Sequence, residues 1–145
     1  MRNSRWAEPL GMLLLRFGCA WFIFVWAVNK FTAPGQYQNL AKHFDKLDLG
    51  IMQVYAIGAV QIVVCVLVFL GLWRTISYAA LALLHFPTIL RIWPKLIDPF
   101  AVSERGFPVN RNSAIALAIL MAMSALWLLR DRDFWSMDAW RRSKG

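Results

Sequence analysis

Three polar side chains sit where an apolar sequence least tolerates them. Arg16, Gln61 and His85 each lie inside a separate long hydrophobic run. Removing such groups from water is costly unless each finds a partner, so these are the positions at which the chain could do chemistry. Arg16 falls roughly 9 Å, at the helical rise, from one end of its run. It either snorkels its guanidinium to headgroups at that end or serves an internal pairing or site. Gln61 and His85 lie near the middles of two consecutive runs, where they can meet at similar depth. That meeting is either a plain interhelical hydrogen bond or part of a ligand or proton site. Pro87, just after His85, cannot donate to the carbonyl of Leu83 and predicts a kink, beside which a pocket can open. Arg16, Gln61 and His85 are therefore the candidate ligand-binding set.

Other chemistry is harder to place. The carboxylates lie at run ends or in links, which argues against a proton relay through the apolar interior. His85 has no second histidine at matching depth, since His43 is in a link, so bis-histidine haem is not expected. Cys19 and Cys65 occupy separate runs, with no CxxC pair and no metal-ligand spacing. No metal site is expected, and both thiols read as small buried apolar groups within possible reach of each other. No residue set identifies itself as catalytic. The formal charge of +8 comes from basic residues at the ends of apolar runs. That placement points to anionic lipid headgroups and away from nucleic acid.

The elements that must position these groups follow from hydropathy. With 59% hydrophobic and 17% charged residues in 145, the chain suits one domain over 1–145 but lacks the polar residues to coat a soluble globule. Crossing the hydrocarbon takes about 20 helical residues. Four runs qualify, near 10–28, 51–73, 75–93 and 113–129. The expected fold is all-α, an integral membrane four-helix bundle of antiparallel up-down spans. Trp73, Arg74 and Thr75 leave almost no link between the second and third, which predicts a tight hairpin. Arg2 and Arg5 before the first run resemble a secretory signal. However, Arg16 interrupts the run and Trp26-Ala27-Val28-Asn29-Lys30 offers no small-x-small cleavage site, so the first helix is expected to stay as a signal anchor.

Basic residues are densest in the N-terminal tail, the second link and the C-terminal tail: Arg2, Arg5, Arg74, Arg130, Arg132, Arg141, Arg142 and Lys144. Both termini are therefore expected on the cytoplasmic side. Trp6, Trp73, Trp135 and Trp140 then mark the inner interface, and Trp26 and Trp93 the outer one. In the first outer link, Tyr37, Leu40, Phe44 and Leu47 recur at helical spacing, as either a short amphipathic surface helix or a packed loop. The tail after Asp131 repeats the aromatic and basic mixture and reads as an interfacial anchor. Ala114, Ala118 and Ala122, with Gly11 and Gly18, form small-residue stripes suited to close helix approach, within the bundle, to a second copy or to a partner.

These residues together resemble the DoxX family of small four-span membrane proteins over nearly the whole chain. Leu15-Arg16-Phe17-Gly18 followed by Asn29-Lys30-Phe31 is similar to the family's Arg and Gly with a Lys at the helix exit. Gly58-Ala59-Val60-Gln61 followed by Leu70-Gly71-Leu72-Trp73-Arg74 resembles its apolar stretch with a Glu, then Leu-Gly and a basic residue. His85 matches a late-span His, and Ser136-Met137-Asp138 a closing Ser-x-Asp. Gln61 stands where the family often has Glu, so Arg16 needs another anion.

The resemblance implies a bacterial inner (plasma) membrane location and a role beside membrane redox systems. Relatives include a subunit of thiosulfate:quinone oxidoreductase and a partner in an oxidoreductase complex linked to thiol and superoxide defence. The leading expectation is an accessory or subunit protein, not an enzyme on its own, that binds a quinone or lipid-like molecule between helices near Arg16, Gln61 and His85 and meets membrane or redox partner proteins. The alternatives are a catalytic subunit of a quinone-linked oxidoreductase and a scaffold or assembly factor without ligand.

Overall fold

The computed structural model describes residues 6–144. Arg2 and Arg5, which weigh in the orientation argument, lie outside the described residues. Six α-helices follow in chain order: α1 (Ala7–Thr32), α2 (Pro34–Leu40), α3 (Ile51–Leu70), α4 (Arg74–Ile97), α5 (Ser113–Leu128) and α6 (Met137–Arg142). A π-helical turn (Ala41–Asp45) extends α2, and a 3-10 turn (Arg130–Arg132) follows α5. Among the described residues there is no strand, only an isolated bridge between Val102 and Pro108.

Three helices, α1, α3 and α4, are long and apolar enough to cross a membrane. α5 is apolar but has 16 residues, which at the helical rise covers only about 24 Å. The second run was expected to continue to Trp73, but α3 ends at Leu70. Gly71 adopts φ +64, and the Leu72 N–H turns back to the Leu67 carbonyl at 2.9 Å, a left-handed termination that satisfies a carbonyl the helix leaves open. Gly71, Leu72 and Trp73 alone separate α3 from α4, as tight a link as the sequence requires. α4 continues past Trp93 to Ile97 with Pro87 and Pro94 inside it. The missing proline N–H groups do not end the helix.

Residues from four helices share one core: Cys19, Ala20 and Ile23 of α1, Cys65 and Val68 of α3, Tyr78 and Leu81 of α4, and Met123 and Leu126 of α5. Both cysteines are buried free thiols. α1 and α3 pack tightly at Gly58, where an added Cβ would come within 2.7 Å of the Phe31 ring and 3.2 Å of the Lys30 Cβ. Gly11 and Gly18, by contrast, have open space around them. Ala114 and Ala118 are exposed, whereas Ala122 of the same stripe packs against the core.

The outer surface is apolar on every long helix, with Leu14, Trp21, Val63, Ile76, Leu83, Leu90 and Met121 all exposed. Contiguous apolar surface of this extent belongs in lipid, so the chain is a membrane protein. In the first link, α2 and its π-helical turn give Tyr37, Leu40 and Phe44 a helical register, in place of a plain loop. Lys46, at φ 57, closes that turn.

Candidate functional site

Arg16 is 3% exposed, and its charge is met by a residue from the far end of the chain. Its Nη1 donates to Asp133 Oδ2 at 2.8 Å, and its Nη2 donates to the Trp135 carbonyl at 3.2 Å. The Tyr78 hydroxyl of α4 donates to the same Asp133 oxygen. Asp133 is fully buried. A guanidinium from α1 and a phenol from α4 thus converge on one carboxylate from the segment after α5. In so little water, removing one partner of such a pair leaves the other as an uncompensated charge, at about 3–5 kcal/mol.

The backbone around Asp133 is held as firmly as its side chain. Arg74, at the start of α4, donates from Nη1 to the carbonyls of Arg130 at 2.6 Å and Asp133 at 2.9 Å. Ser136 Oγ donates to the Asp133 carbonyl at 2.8 Å and accepts from the Ala139 N–H, capping α6. Asp138 returns the contact, because its Oδ2 accepts from the Arg74 backbone N–H at 2.9 Å, the open first turn of α4. The Asp138 N–H donates in turn to the Gly71 carbonyl at 3.2 Å.

The result is a clasp in which residues 130–138 are locked onto α1 and the α3–α4 turn. Gly71 sits under it with no room for a side chain: an added Cβ would lie 2.5 Å from Ser136 Cβ and 2.6 Å from Arg16 Nη1. Two guanidiniums, Arg16 and Arg74, balance two carboxylates, Asp133 and Asp138. Among the described residues buried Arg16 Nε and Asp133 Oδ1 find no hydrogen-bond partner. Chemically the arrangement holds charge and fixes geometry.

The other two sequence candidates lie in different surroundings. His85 is buried, its Nε2 is 2.9 Å from the Ala116 carbonyl of α5, and Phe22 meets its ring edge-on. A ring nitrogen facing a carbonyl oxygen carries the proton, so Nε2 is the donor. Gln61 is half-buried on α3, with its Oε1 enclosed and without a donor. Among the described residues no hydrogen bond joins Arg16, Gln61 and His85 to one another.

Asp133, Tyr78 and the structural part played by Arg74 were not read from the sequence. One signal was available: Arg16 lacked an anion, and Asp133 precedes the apolar pair Phe134-Trp135, where a solvated carboxylate is out of place. At the opposite end, Lys30 is buried, with Nζ donating to the Trp26 carbonyl at 3.2 Å and lying 4.2 Å from the centre of the Tyr37 ring. Nearby, Arg91 grips Asp45 with two hydrogen bonds. Among the described residues no cluster of His, Cys, Asp and Glu is arranged to hold a metal ion.

No curated protein and no solved structure matches the chain. The family model DoxX matches residues 11–93, which include Arg16, Gln61, Gly71, Arg74, Tyr78 and His85 but stop short of Asp133. That match covers more than half of the sequence, and on it the chain belongs to the DoxX family.

Proposed function

We propose that this protein is a non-catalytic accessory subunit of a redox-associated system in the bacterial inner membrane, where it holds a quinone or lipid-like molecule between its helices. In this reading α1, α3, α4 and α5 form an antiparallel four-span bundle with both termini cytoplasmic. Supporting it are the core shared by the four helices, the short link at Gly71–Trp73 and the concentration of arginine around the clasp. The redox association comes from the family.

The observation that carries the ligand assignment is Gln61. Among the described residues its amide oxygen is enclosed without a donor, whereas Arg16 is engaged through Nη1 and Nη2 and His85 through Nε2 with groups of the chain itself. An amide can present either its oxygen or its nitrogen, so it suits both the carbonyl of a quinone and the hydroxyl of a quinol. In this reading Gln61 supplies the polar contact to the ligand, while Arg16 and His85 keep their protein partners.

Purification from native membrane in mild detergent, followed by solvent extraction and chromatography, tests this directly. Wild type should yield a bound quinone or lipid-like molecule that Gln61→Leu loses. A retained ligand unaffected by Gln61→Leu, or no ligand in wild type, contradicts the assignment. Turnover with a defined electron donor would make the chain a catalytic subunit instead. For orientation, a cysteine introduced at Ser143 on a cysteine-free background should resist an impermeant reagent in intact cells; labelling there overturns the topology.

A further inference from the structure

The outward face of the clasp is rich in arginine. Arg74, Arg130, Asp131, Asp138, Arg141 and Arg142 line a cleft of about 350 Å³. Four guanidiniums against two carboxylates leave an excess of positive charge, and the carboxylates are not evenly free. Asp138 is committed to Arg74, accepting its backbone N–H at 2.9 Å and lying 3.9 Å from its Nε. Among the described residues Arg130, Arg141 and Arg142 make no salt bridge.

Half of the cleft is placed before any anion arrives. Arg74 is buried and fixed by two carbonyls. Arg130 donates from Nη1 to the Trp127 carbonyl at 3.0 Å and stacks its guanidinium 4.9 Å from the indole centre. Placement of this kind lowers the ordering cost of binding, and the planar guanidinium fork matches phosphate oxygens.

The other flank of α6 has the complementary character. Phe134, Trp135, Met137 and Trp140 line an open groove of about 490 Å³, with Trp6 packed against Trp135. Indoles prefer the headgroup depth of a bilayer. A cationic seat and an apolar groove on either side of one short helix match the two halves of a phospholipid.

We propose that the arginine cleft binds the phosphodiester of an anionic phospholipid, whose glycerol and acyl end lies along the Phe134–Trp140 groove. The site is separate from Gln61 and does not depend on a quinone. Because Arg74 and Arg130 also belong to the clasp, lipid bound here steadies residues 130–142 over α1 and α4.

The test titrates the full-length protein in neutral detergent with phosphatidylglycerol, phosphatidylcholine and soluble glycerol phosphate. Retention in native mass spectrometry and the thermal midpoint report binding, and the lipid-free midpoint reports folding. Phosphatidylglycerol should bind tightest. Arg141→Gln/Arg142→Gln, which leaves every hydrogen-bonding side chain of the clasp in place, should weaken it by about fivefold for each arginine removed. Arg105→Gln/Arg111→Gln, equal in charge but in the far link, should leave it within about twofold, because salt screens charges at that distance. Equal loss in the two variants, or equal affinity for phosphatidylcholine, overturns the site. Glycerol phosphate binding as tightly as phosphatidylglycerol overturns the lipid assignment.

Discussion

Each end of the molecule carries an arginine paired to an aspartate from a distant stretch of chain, yet the two pairs do different work. Arg16 and Asp133 are 3% and 0% exposed, whereas Arg91 and Asp45 are 30% and 20% exposed. The outer pair, so called for its greater exposure, is Arg91–Asp45 and has the better hydrogen-bond geometry, with two parallel bonds, while the inner, buried pair, Arg16–Asp133, has one. Burial still decides which matters more. A partly exposed pair exchanges water for a partner at little net gain. A buried pair gains little over an apolar replacement but is expensive to break, since the survivor cannot return to water. The inner pair also sits inside a network with Tyr78, Arg74 and Ser136, and among the described residues the outer one has no comparable network. Its neighbour Lys30 rests on Tyr37 and a carbonyl, and among the described residues it pairs with no carboxylate.

The largest effect should come from breaking the inner pair on one side. Asp133→Leu strands Arg16 and the Tyr78 hydroxyl together, and should cost about 3–5 kcal/mol in detergent unfolding. Residues 130–142 should become the first site of limited proteolysis. An unchanged midpoint would put the two ends on an equal footing.

Gly71→Ala should follow, because it forces a side chain into a left-handed φ and toward Ser136 and Arg16. A loss of about 1–3 kcal/mol is expected, with α3 itself intact by circular dichroism. If Gly71→Ala is neutral, the clasp does not press on the turn.

The smallest effect belongs to the outer pair. Arg91→Gln should shift stability by about 1 kcal/mol or less, and the shift should shrink further in high salt. A loss matching that of Asp133→Leu would remove the contrast between the ends.

Much of the fold was legible because long apolar runs leave few alternatives. The positions of α1, α3, α4 and α5 and the short link at Gly71 follow from run length and from the one glycine placed to close a helix. The ends were less legible. Hydropathy carries through Leu72 and Trp73, but the left-handed Gly71 stops α3 earlier, and α4 absorbs two prolines that pattern alone would set against it.

Small residues left a choice open that the sequence could not make. Gly11 and Gly18 attract attention by spacing, yet Gly58 is where α1 and α3 approach, because Phe31 and Lys30 happen to lie opposite it. Of the site, Arg16 was legible as a charge in need of an anion. Asp133 was not, because it lies 117 residues away in a segment whose aromatic and basic composition reads as a surface anchor. Contact across that separation is set by tertiary folding of the tail, and no local pattern records it.

The central claim is that Arg16 and Asp133 are one buried unit joining the C-terminal segment to α1, and a double-mutant cycle in detergent tests it most directly. Arg16→Met and Asp133→Leu should each lower the unfolding free energy by about 3–5 kcal/mol, while the double variant should recover most of that loss, because no charge is left stranded. Additive losses, or single variants as stable as the wild type, would contradict it.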